Sequence, residues 1–134
     1  MLDCVVVGGG PAGLTAAIYL ARFHLGVRVI DAGNSRAATI PMTRNHAGFP
    51  DGIAGADLLD RMRTQARRYG AVLVQAEVTG LNVTAAGLQV SVGDEVIATR
   101  SVLLATGVVN RRPPMPDDLH ATALARGLLR YCPI

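Results

Sequence analysis

The run Gly8-Gly9-Gly10-Pro11-Ala12-Gly13 lies between an apolar β-branched segment and an amphipathic one, and it constrains the fold more than any other feature. Ahead of it, Cys4-Val5-Val6-Val7 reads as a strand buried on both faces. Behind it, Pro11 occupies a position where a helix readily begins, and Leu14, Ala17, Ile18, Ala21 and Leu25 recur at helical spacing. Arg22 and His24 fall in the last turn of that helix, and Gly26 reads as its stop. Val27 to Ile30 forms a second buried strand, closed by Asp31. The segment is therefore a strand-helix-strand unit, with parallel strands and a right-handed crossover expected.

The remainder fits one domain of 134 residues. From Ala32 to Gly55 no period persists, and Gly33, Asn34, Pro41, Gly48, Pro50 and Gly52 mark a long loop with enough apolar residues to pack against something. Leu58, Leu59, Met62, Ala66 and Tyr69 share one face of a second helix, with Gly70 as its stop. Ala71 to Ala76 is a third strand. The turns at Ala85-Ala86-Gly87 and Gly93-Asp94, set between alternating runs, predict an antiparallel meander. Ser101 to Ala105 is read as a further continuous apolar strand, ending at Thr106-Gly107, and a short helix is expected over Asp117 to Leu129. The expected class is thus α/β, a Rossmann-like βαβ parallel sheet with an antiparallel β-meander.

Composition narrows the partners. All thirteen basic side chains are Arg, set against eight Asp and two Glu, and they are dispersed along the chain. With aromatics at 4%, neither a basic arm nor a stacking surface for nucleic acid is present in the pattern. No apolar run approaches the roughly eighteen residues of a membrane span, and a cytoplasmic location is expected. In such a reducing compartment Cys4 and Cys132 are not expected to pair; Cys4 reads as a small buried hydrophobe. His24, His46 and His120 lack partners at metal-ligand spacing, and no metal is expected.

Glycines at the first, third and sixth positions of a strand-to-helix turn suit a dinucleotide pyrophosphate. Gly8 permits the tight turn, Gly10 lets the pyrophosphate approach the backbone, and Gly13 lets helix and strand pack closely. Asp31, eighteen residues after Gly13, is placed to accept hydrogen bonds from adenosine ribose hydroxyls and to repel a 2′-phosphate. The glycines alone also suit a turn without ligand, and Asp31 also suits a strand-end turn; the three features in one unit favour dinucleotide binding. FAD and NAD are not distinguished by this pattern.

At this level of detail the chain resembles the N-terminal FAD-binding part of the thioredoxin reductase-like flavoprotein family. The run from Gly8 to Arg22 is similar to the family's opening, Asn45-His-Ala-Gly48-Phe-Pro-Asp-Gly52-Ile-Ala-Gly55 to its flavin-contacting loop, and Leu103-Leu-Ala-Thr-Gly107 with Pro113 to its second FAD motif. The resemblance implies that Gly8, Gly10, Pro11, Ala12 and Gly13 hold the FAD pyrophosphate and Asp31 the adenosine ribose. It implies a flavin-side contact for Asn45, a backbone contact to adenine for Val78, and a lining role for Ala105, Thr106 and Gly107. Where the family carries Gly-Gly-Gln, this chain has Gly33-Asn34-Ser35-Arg36, so that Arg36 reaches the pyrophosphate or is solvated.

Tyr131-Cys132-Pro133-Ile134 looks like the start of the family's redox-active Cys-Pro-x-Cys, in which one thiolate is stabilised while its neighbour resolves a mixed disulfide. The chain stops where the second Cys would come, and Cys132 alone cannot complete that cycle. Residues 1–112 are accordingly expected to be a partial FAD-binding domain. Residues 113–134 are expected to be a linker and the start of an NADPH and redox-cysteine domain not contained in this sequence. The implied intact enzyme passes electrons between NADPH, FAD and a small-molecule or protein dithiol/disulfide, with a homodimer implied and this chain alone inactive. A dithiol oxidase using oxygen, a non-catalytic FAD/NAD-binding module and an NAD-binding domain are the alternatives.

Overall fold

In the computed structural model, which describes residues 1–131, one mixed sheet carries the chain. Its strands are β1 (Leu2–Val7), β2 (Val27–Asp31), β3 (Val72–Gln75), β4 (Val78–Thr84), β5 (Gly87–Val92) and β6 (Glu95–Leu104), in the spatial order β3-β2-β1-β6-β5-β4. The helices are α1 (Pro11–Arg22), α2 (Gly55–Arg68) and α3 (Asp117–Ala125). β3, β2, β1 and β6 run parallel, while β4, β5 and β6 are antiparallel, so the α/β class with a meander is what the chain forms.

Where the pattern predicts a separate apolar strand after the meander, the last run of the meander and Ser101–Leu104 form one ten-residue strand, β6. Its first half pairs with β5 and its second half with β1. Thr99 stands at the change of partner, pairing with both Leu2 and Leu88. It is fully buried, and its hydroxyl lies 3.3 Å from the Leu2 carbonyl and 3.0 Å from that of Ser101, so the one buried polar side chain among the described core residues is satisfied.

Alternation along β1 explains its unbroken apolar run. Cys4 and Val6 face a core shared with Leu14, Ala17, Ile18 and Ala21 of α1 and Leu58, Leu59, Met62 and Ala66 of α2. Val5 faces the other way, into a second cluster with Ile30, Val90, Val92 and Ile97. Both faces of the strand are therefore dry, as a central parallel strand requires. Cys4 is a free, buried thiol.

The stretch from Ala32 to Ala54 is more ordered than its lack of period suggests. Arg36–Thr39 forms a 3₁₀ turn, and Thr43 and Ile53 exchange backbone hydrogen bonds of 2.8 and 2.9 Å. Ile53 is buried and Phe49 packs on the first core, while the Gly55 amide donates to the Ile40 carbonyl at 2.9 Å. Apolar residues scattered without period thus fold the loop back on itself, against α2.

α1 ends earlier than expected. Its last helical residue is Arg22, and the left-handed position after it is taken by His24, at φ 60°, rather than by Gly26. Gly26 instead donates its amide to the Asp3 carboxylate at 2.8 Å and leads into β2. A side chain in the left-handed region is strained, most of all when β-branched. His24→Gly is therefore expected to raise the stability by about 0.5 kcal/mol and His24→Val to lower it by about 1–2 kcal/mol. Urea unfolding followed by circular dichroism checks both signs.

Candidate functional site

Three parallel strands end at one place. β1 runs into Gly8, β2 ends at Asp31, and β6 runs into Ala105-Thr106-Gly107, with β1 between the other two. In open α/β sheets such an edge, at the carboxyl ends of strands flanked by connections that diverge, is where ligands bind. Here it opens into a cleft of about 590 Å³ whose lining includes Gly8, Gly10, Pro11, Ala12, Asp31 and Arg36 together with Ala105, Thr106 and Gly107.

The glycine turn is held from several sides. Gly8 lies at φ 110°, its amide donates to the Ile30 carbonyl at 2.8 Å, and a Cβ there would run into the Ala105 carbonyl. Gly13 does not line the cleft; a Cβ on it would collide with the Gly8 carbonyl and press on Val6, so it is the position that lets α1 sit down on β1. Gly10 precedes α1 with no side-chain cap, and only Ser35 lies within 4 Å of where its Cβ would be. The first turn of α1 contains no acidic residue. Uncapped amide donors and the positive end of the helix dipole therefore meet open space, a combination suited to an anion.

Asp31 is mostly covered, its side chain 18% exposed. Its Oδ1 accepts from the Gly33 amide at 3.0 Å and its Oδ2 faces the Arg63 guanidinium at 3.5 Å. Arg63 also binds Asp60 at 2.9 Å. Arg36 is half-buried between this cleft and a smaller one of about 230 Å³ that leads to α3, and it donates to the Tyr131 carbonyl at 3.3 Å.

Two residues implied by the resemblance stand apart from this group. Asn45 is exposed in the loop, its Oδ1 accepting from the Thr43 hydroxyl at 2.7 Å, beside His46 and Phe49. Val78 opens β4, paired with Val92 and packed on the second core. Cys132 lies outside the described residues.

Two residues at Asp31 carry no signal in the sequence pattern: Gly9, whose Cβ would enter the Asp31 carboxylate, and Arg63. Gly9 was hidden by the motif's own spacing, which weights only its neighbours. Arg63 lies in α2, far along the chain from Asp31, with no local signal linking the two.

A glycine turn, a strand-end carboxylate and an uncapped helix N-terminus around one cleft define a dinucleotide-binding α/β domain. The chain belongs to the pyridine nucleotide-disulphide oxidoreductase family, whose sequence profile matches residues 2–132. Within it, the chain is thioredoxin reductase-like. It is 36% identical over 132 residues to the thioredoxin reductase of Mycolicibacterium smegmatis, covering 97% of this chain and 42% of that protein. It is 40% identical over 122 residues to NADPH-dependent thioredoxin reductase 3 of Arabidopsis thaliana, covering 87% of this chain and 23% of that one. Among solved structures, a thioredoxin reductase from Gloeobacter violaceus matches at 36% identity and a TM-score of 0.77, over 84% of this chain and 39% of the other. The chain thus spans less than half the length of these relatives.

Because the contact between Gly13 and the Gly8 carbonyl is backbone on one side, no rotamer change relieves it. Gly13→Ala is expected to lower the stability by about 1–3 kcal/mol, read as a shifted urea midpoint with an unchanged m-value.

Proposed function

We propose that the cleft at the ends of β1, β2 and β6 holds FAD, and that the chain is the FAD-binding portion of an enzyme that moves electrons from NADPH to a dithiol/disulfide substrate. The observation that carries this reading is the convergence of Gly8, Gly10, Asp31 and Ala105 to Gly107 on one cleft. The fit is physical: the uncapped amides that open α1 and the strand-end carboxylate of Asp31 line the same cleft.

The parts divide the task by their chemistry. The uncapped N-terminus of α1 receives the pyrophosphate, and Asp31 accepts from the ribose hydroxyls while opposing any phosphate at the 2′ position. Arg36, at the rim, adds positive charge towards the pyrophosphate. Ala105-Thr106-Gly107 forms the opposite wall, close against Gly8. Bound flavin supplies the capacity to take two electrons from a nicotinamide and pass them to a disulfide, while the protein supplies position and electrostatics. Residues 1–112 form the FAD-binding unit in this reading, and 113–134 are a linker and the start of the next domain. Cys132 belongs to the substrate-reducing pair, with NADPH bound by a part of the enzyme beyond this sequence. Similarity to thioredoxin reductases favours a reductase over an oxygen-using dithiol oxidase and over a module without catalysis. It likewise favours FAD over NAD in this cleft.

Purified chain mixed with FAD and freed of excess by gel filtration is expected to keep the flavin absorption bands, and to show no NADPH-driven disulfide reduction by itself. Gly9→Ala, which pushes on the Asp31 carboxylate, is expected to weaken FAD about tenfold or more. A chain that releases all flavin and instead takes up NAD in a calorimetric titration overturns the reading.

A further inference from the structure

We infer that Arg63 is a positioning residue for nucleotide recognition: it holds the Asp31 carboxylate in the orientation that accepts a ribose diol. This rests on the reading of the cleft as an adenine dinucleotide site. Asp31 ends β2, and its carboxylate has two polar partners and a space left open for it by Gly9. The Gly33 amide donates to Oδ1 at 3.0 Å, Arg63 Nη2 faces Oδ2 at 3.5 Å, and the carboxylate occupies the space that a Cβ on Gly9 would take. Arg63 is itself anchored, since its Nη1 binds Asp60 at 2.9 Å one helical turn earlier. The three residues form a relay from the exposed face of α2 to the edge of the cleft.

Counting acceptors shows what the arrangement leaves free. An ionised carboxylate offers about four lone-pair sites. One is used by Gly33 and one faces Arg63, leaving two, the number of hydroxyls on a ribose diol. Without Arg63 the carboxylate is held by a single amide and is free to turn about its last torsion, where rotational preferences are weak. Arg63 does not line the cleft, so its action passes through Asp31. As an ion pair Arg63–Asp31 adds little to stability, because its separation is 3.5 Å and the guanidinium makes its closer contact, 2.9 Å, with Asp60. Its consequence lies in pre-organisation, which reduces the ordering that binding would otherwise require.

Calorimetric titration of the chain with ADP and with 2′-deoxy-ADP separates this role from a structural one. Wild type is expected to bind ADP about tenfold more tightly than 2′-deoxy-ADP, the effect of one hydrogen bond to a charged acceptor. In Arg63→Met that ratio is expected to fall below about threefold, with the urea midpoint nearly unchanged. Asp31→Asn should lose the ratio as well, and adding Arg63→Met to it should change nothing further, since the two act as one unit. If Arg63→Met weakens both nucleotides equally and keeps the ratio, or leaves both affinities at the wild-type value, the inference about Arg63 is overturned while the FAD reading stands. If wild type binds neither ADP nor FAD, both fall together.

Discussion

The contact of Gly13 with the Gly8 carbonyl and the Val6 side chain fixes the distance between α1 and β1 at its smallest, and the positions of the other parts follow from it. With α1 seated that low, Leu14, Ala17, Ile18 and Ala21 reach the β1 face carrying Cys4 and Val6, and a dry core closes beneath the helix. The same turn throws Gly8 against the Ala105 carbonyl, so the end of β6 is brought alongside the end of β1. One missing methyl group therefore controls both the packing below the turn and the shape of the cleft above it. Stability and ligand geometry are not separable at Gly13, whereas at Gly9 and Gly10 the space spared by glycine touches only the side chains of Asp31 and Ser35.

β6 extends the same constraint across the sheet. Because it pairs with β1 over its second half and with β5 over its first, the antiparallel meander continues the parallel sheet instead of hanging from it. A strand that changes partner midway meets two backbone patterns at one residue. Thr99 occupies that place, buried, with its hydroxyl turned to the carbonyls of Leu2 and Ser101. The second cluster, with Val5 and Ile30 from the parallel half and Val90, Val92 and Ile97 from the meander, then covers the face of the sheet that α1 and α2 leave open.

What could be read along the chain was what depends on near neighbours. β-branched runs gave β1 and β2, helical spacing gave α1 and α2, and the glycine spacing located the turn, because each is decided by residues within a few positions of one another. The continuity of β6 was not visible, since Thr99-Arg100 interrupts the apolar pattern and only its pairing with Leu2 shows why a threonine is buried there. The end of α1 differs from its pattern for a related reason. Gly26 is the better residue for a left-handed stop, but the helix closes sooner, with the His24 amide on the Ala21 carbonyl at 2.9 Å and the Leu25 amide on the Leu20 carbonyl at 3.2 Å, so His24 takes the left-handed position. The 32–54 loop is ordered by Ile53 and Phe49 through contacts with no period to betray them.

The position of Arg63 shows how a site residue can be dictated by packing while leaving no motif. α2 buries Leu58, Leu59, Met62 and Ala66, and Arg63 follows Leu59 by four residues, which stacks it beside the buried stripe rather than opposite to it. A side chain at that boundary is half covered, so its long apolar stem can lie along the protein while its charged end seeks a partner. The end of β2 supplies one in Asp31, because α2 packs across α1 and the first core brings both against β1 and β2. Once the apolar face of α2 is chosen, the guanidinium has little choice of where to go, and Asp60 one turn back removes most of what remains. The carboxylate at the cleft is thus oriented by a helix whose own placement is decided by Leu58, Leu59, Met62 and Ala66, none of which approaches the ligand site.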